Sequence, residues 1–104
     1  KEDQASVARA AAAAEALKGV ENPYFLDTYG WALYRSGRVE EGVKALEKAA
    51  ATAPGLVDAR YHLGVALIES GDRERGEAEL SAVIAAPGAD TRRVVDAQRR
   101  LAGE

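Results

Sequence analysis

The sequence predicts an all-α fold, a stack of antiparallel helical hairpins, and three observations carry that expectation. The stretch 26–55, LDTYGWALYRSGRVEEGVKALEKAAATAPG, is answered 34 positions later by RYHLGVALIESGDRERGEAELSAVIAAPGA. Nine of the 30 aligned pairs are identical: Gly30/Gly64, Ala32/Ala66, Leu33/Leu67, Ser36/Ser70, Gly37/Gly71, Glu40/Glu74, Gly42/Gly76, Leu46/Leu80 and Ala51/Ala85. Chance pairing at ordinary composition gives roughly two. Inside each stretch the apolar residues recur at three- and four-residue spacing. Glycine or proline separates the periodic runs, at Gly37, Pro54-Gly55, Gly71 and Pro87-Gly88. A fixed period of this size marks helix-turn-helix units that bury their apolar faces against one another.

Six helices are expected. The first covers 5–18, where alanine dominates and Ala10 to Ala14 is an unbroken run of the best helix former. It reads as a packing helix, stopped by Gly19, Asn22 and Pro23. Pro23 suits the first turn of the next helix, which runs to about Ser36 with Leu26, Tyr29, Ala32 and Leu33 inward. A helix from about Val39 to Thr52 places Val43, Leu46, Ala49 and Ala50 on one stripe. Glu40, Glu41, Lys44, Glu47 and Lys48 fall mainly outside it. The plan repeats from about Val57 to Ser70, with Leu63, Ala66 and Leu67 inward. The second helix of that repeated pair runs from about Arg73 to Ala86, with Leu80, Val83 and Ile84 inward. Asp90 or Thr91 can cap a last helix on which Val94, Ala97 and Leu101 share a face, and Gly103 falls at its end. Arg92, Arg93, Arg99 and Arg100 are expected to be largely solvated, giving the stack a polar end.

Bulk properties narrow the function. The 104 residues are 47% apolar and 30% charged, which suits one modest globular domain. A net charge of -3 argues against a general nucleic-acid binder. No run approaches the ~18 to 20 apolar residues of a membrane span. With no cysteine there is neither disulfide nor thiol chemistry, though the compartment stays open. The chain begins at Lys1 in helix-forming sequence with no signal peptide, so a fragment of a longer protein is expected, with localisation unknown.

These residues resemble the tetratricopeptide repeat, a 34-residue helix-turn-helix unit. In the first unit Gly30 matches the small residue of helix A, Tyr29 the large residue before it and Leu33 the large residue three later. Gly42 stands where the family prefers alanine, Leu46 at the large position, Ala49 at the second alanine and Pro54 at the terminal proline. The second unit has Leu63, Gly64, Leu67, Gly76, Leu80 and Val83 at the same places, with its proline one residue early at Pro87. The family's early tryptophan is Leu26 and Arg60 here, and its tyrosine position is leucine in both units. The resemblance implies a right-handed superhelical stack forming a single domain over 1–104. Its parts are an orphan helix of a partial repeat at 5–18, repeats at 23–56 and 57–88, and a capping helix at 90–103. A looser similarity, carried by LDTYGWALYRSGR, is to the C-terminal repeats of bacterial envelope and exopolysaccharide-system proteins. That similarity favours the periplasm or envelope.

The resemblance further implies a non-catalytic scaffold whose A helices line a concave surface. Its candidate partner-binding residues are Tyr24, Asp27, Trp31, Tyr34 and Arg35 from one unit, with Asp58, Tyr61, Val65, Ile68 and Glu69 from the next. Helical spacing independently puts Asp27, Trp31 and Tyr34 on one side. Trp31 and Tyr34 are expected to form an aromatic patch beside Tyr61, Val65 and Ile68, of the kind a peptide or partner helix fills. The competing expectation is that Trp31 packs for stability alone, on the first helix or on a second copy. Family members that grip a partner's carboxylate tail carry lysine, arginine and asparagine inside, whereas Asp27, Tyr61, Asp58 and Glu69 stand here, so such a clamp is not expected.

Catalysis receives little support. His62 is the one histidine, and Asp58 four residues before it could orient its ring or join it on a metal. Two ligands do not make a site, and no phosphate loop or nucleophile elbow is present. No cofactor is expected, and His62 reads as a surface or groove-lining residue. The arginines of the last helix suggest the alternative to a protein scaffold, an adaptor for a membrane surface or an anionic polymer, with Asp90 and Asp96 offsetting part of their charge. The expected partner is a protein or peptide, or another copy of the chain, and not a nucleic acid.

Overall fold

The structure, a computed structural model, describes residues 22–103. The helix expected over 5–18 lies outside the described residues. Within them the chain is all-helical, with α1 at Pro23–Arg35, α2 at Val39–Thr52, α3 at Val57–Glu69, α4 at Arg73–Ala85 and α5 at Thr91–Leu101. The sequence-derived limits of α2 hold at both ends, and the other helices end within a residue or so of expectation. Asn22 starts α1: its side-chain oxygen accepts from the backbone N–H groups of Tyr24 and Phe25 at 2.9 and 3.2 Å. Asp72 and Asp90 cap α4 and α5 in the same way, accepting from Arg75 and Arg92.

The A-to-B turns explain two of the repeated glycines. Gly37 and Gly71 have φ of 95° and 100°, a left-handed conformation that costs a side chain dearly. That conformation lets the N–H of Arg38 donate back to Leu33 O and that of Asp72 to Leu67 O, each at 2.9 Å, closing the helix ends.

Helices α1 and α2 form one hairpin and α3 and α4 the next, while α2 also packs on α3, α4 on α5 and α1 on α3. Two core clusters repeat at the period of the sequence. Leu46 and Ala50 of α2 meet Leu63 and Leu67 of α3, and 34 residues on Leu80 and Ile84 of α4 meet Ala97 and Leu101 of α5. A third cluster, Leu26, Ala49 and Ala59, joins α1, α2 and α3, with Leu56 against it. Each leucine buried in this way contributes roughly 1.5–3 kcal/mol. Because α5 receives α4 as α3 receives α2, it stands in the A-helix place of a third unit.

One inward expectation fails. Ala32 is exposed, although its counterpart Ala66 is fully buried beneath α2. Among the described residues, no helix lies against α1 as α2 lies against α3.

A candidate partner-binding face on the A helices

Helices α1, α3 and α5 pack side by side and carry the candidate residues. Tyr24 is 69% exposed, and Arg35, Asp58 and Glu69 are exposed as well. Trp31, Tyr34, Tyr61 and Ile68 are half-buried and come together as expected, all against the cluster formed by Val65, Leu80 and Ala97. Two candidates belong to the interior instead. Val65 is 1% exposed, roofed by those half-buried rings and chains, and Asp27 is 8% exposed, so neither offers a ligand much surface.

The reason lies in how Trp31 is held. Its ring stacks on Tyr34 of the same helix at 4.8 Å and on His62 of α3 at 4.2 Å, lying across the next A helix rather than standing up from its own. The first helix, one of the two partners anticipated for it, lies outside the described residues. Of the two places expected for His62, at the surface or lining the groove, the first does not hold. The residue is 9% exposed rather than superficial, and its Nδ1 lies 2.7 Å from Asp27 Oδ1. A carboxylate only accepts, so with Asp27 ionised Nδ1–H is the donor of this bond. Asp58, the partner suggested by four-residue spacing, instead pairs with Arg93 Nε at 3.0 Å.

The same arrangement recurs one unit on. The Tyr61 hydroxyl donates to Asp96 Oδ2 at 2.5 Å, and the guanidinium of Arg93 lies over the Tyr61 ring, 5.1 Å from its centre. Arg100 Nε reaches the same Asp96 oxygen at 2.7 Å. Burial raises the Tyr61 phenol above its ordinary range, and its bond to Asp96 adds to the effect. Burial alone would raise Asp96 as well, but the hydrogen bonds from Tyr61 and Arg100 outweigh it and leave the carboxyl below its ordinary value. Burial, followed by the nearby Glu69 charge, raises Tyr34.

Arg93 and Arg100, expected to be largely solvated, therefore belong to this face, together with Asp96, expected only to offset part of the arginine charge. Arg93 and Arg100 are each about a third exposed at the side chain and ion-paired, while Arg92 and Arg99 do face solvent. The missed signal was the period itself: carried one unit further, it maps His62 onto Asp96.

Among the described residues, no group of three histidine, cysteine or acidic side chains could hold a metal ion, and no helix is long and apolar enough to cross a membrane. A family model described as tetratricopeptide repeat matches residues 33–101, well over half of the chain, running from the end of α1 through α5. The chain belongs to the tetratricopeptide repeat family. No curated protein and no solved structure matches it. Tetratricopeptide repeats generally mediate protein–protein interaction and typically serve as non-enzymatic scaffolds.

Proposed function

We propose that this tetratricopeptide protein binds a peptide or partner helix, or the corresponding surface of a second copy, across the face of α1 and α3. The observation that supports this most is the layering of that face. Half-buried Trp31, Tyr34, Tyr61 and Ile68 form a supported apolar floor, and exposed Tyr24, Arg35, Asp58 and Glu69 stand around it. An apolar centre with a polar rim is how protein interfaces are commonly built. Arg35 and Glu69 occupy equivalent places in successive units, so a partner crossing both meets opposite charges in a fixed order.

The alternative, an anionic-surface adaptor built on α5, draws less support. Arg93 is committed to Asp58 and Arg100 to Asp96, and of its outward cations, Arg92 and Arg99, the first also pairs with Asp90 at 3.4 Å. Exposed charge of this kind is strongly screened by salt.

The test uses peptides selected from a displayed library on the full 104-residue chain, with affinities measured by fluorescence anisotropy. Reversing Arg35→Glu together with Glu69→Arg is expected to weaken a selected peptide about tenfold, near 1.4 kcal/mol, without altering net charge. Arg92→Glu with Arg99→Glu is expected to change it less than about twofold. The opposite pattern would transfer the binding site to α5.

A further inference from the structure

The bridge from Asp27 to His62 spans 35 residues, as does the bridge from Tyr61 to Asp96. Adding the 34-residue period to Asp27 and His62 gives Tyr61 and Asp96, so these are one contact made twice. Its polarity reverses between the two. In the first, with Asp27 ionised, the later residue donates, His62 to Asp27, and in the second the earlier one does, Tyr61 to Asp96. Helix α3 contributes a neighbouring residue to each bridge, and the rings of Tyr61 and His62 meet edge-on at 5.5 Å. The geometry points to a single polar seam that registers all three A helices and couples the seating of α5 to the surroundings of Trp31 in the first unit.

Two features favour coupling over two separate contacts. The His62 ring is held at Nδ1 by Asp27, stacked on its face by Trp31 and met edge-on by Tyr61, so a shift of Tyr61 must move it or open a gap. The side chains of the first bridge are also only 11% and 12% exposed, so water has little room to replace a lost partner. Contiguity alone does not establish coupling, and a mutant cycle does.

Tyr61→Phe removes one hydroxyl and leaves Asp96 its bond to Arg100, while Asp27→Ala removes the acceptor of the buried Nδ1–H. Asp27→Asn keeps an acceptor there. Trp31 is the one tryptophan in the chain, so its emission and near-ultraviolet dichroism report on the first bridge, and amide exchange across α5 reports on the second. Tyr61→Phe is expected to lower α5 protection about fivefold and to shift the Trp31 emission as well. Asp27→Ala is expected to change both signals, and Asp27→Asn to stay close to the parent in both. The unfolding constants of the double variant should depart from the product of the single effects by more than about threefold. Unchanged Trp31 signals in Tyr61→Phe beside a loosened α5, or multiplicative effects, would overturn the seam. Should Asp27→Ala fail to fold, the Trp31 response to Tyr61→Phe decides alone.

Discussion

Gly42 shows how far a single missing methyl group shapes this chain. The family prefers alanine at its place, yet a β-carbon there would lie 2.7 Å from Gly30 O and 2.9 Å from Tyr34 N, both backbone atoms of α1. Alanine would gain about 1 kcal/mol of helix propensity, but the hairpin would have to open, and overpacking of this kind costs about 1–3 kcal/mol. Because the obstacle is main chain, the upper part of that range applies. Gly42→Ala is therefore expected to lower stability by about 1–2 kcal/mol in urea unfolding, while Gly55→Ala, with nothing within 4 Å, should not lower it. Equal stability of the two variants would show that α1 and α2 are farther apart than described. Asp96 carries a second expectation at this scale. Its folded pKa lies below the unfolded value, so its contribution is present above about pH 4 and is lost as pH falls through the folded value. The stability gap between the parent and Asp96→Asn should thus be open at pH 5 and shrink by pH 2.5. Partial solvent exposure of the pair holds that gap below about 1 kcal/mol. A gap that widened in acid would mean that Asp96 is held above its ordinary value instead.

At the scale of the element, helix existence and turn chemistry were legible because they are local. Gly37 and Gly71 are demanded by backbone conformation, Pro23 by the first helical turn, and the stripe of Leu46, Ala49 and Ala50 by helical spacing, and all can be seen in windows of a few residues. The family match carries the same periodicity through to Leu101. What was not legible was contact between elements. Asp27 and His62 are 35 residues apart, and four-residue spacing drew attention to Asp58 instead. Spacing also put Trp31 on an open side of α1, correctly as direction, but said nothing of its ring lying across α3. At α5 the 34-residue period continues. Its Ala97 and Leu101 repeat Leu63 and Leu67, while exposed Gln98 replaces the close-packing Gly30 and Gly64, so α5 receives α4 like an A helix yet lacks the glycine by which α1 and α3 approach their own B helices.

For the whole molecule, two faces follow from one packing scheme. B helices α2 and α4 direct Leu46 and Leu80 inward and exposed charges such as Glu40, Lys44, Glu74 and Arg75 outward, with Arg75 bridging to Glu47 across the units. The A helices gather the large rings, because there a side chain from one unit can lie on the helix of the next. Partner binding across α1 and α3 is the consequence on which the functional proposal depends. It is tested most directly by mapping amide chemical shifts while a selected peptide is titrated into the isotope-labelled chain. Perturbations centred on Tyr24, Trp31, Arg35, Tyr61 and Glu69, with Lys44, Ala78 and Ser81 unmoved, are the expected result. Perturbations centred on α2 and α4 would contradict it.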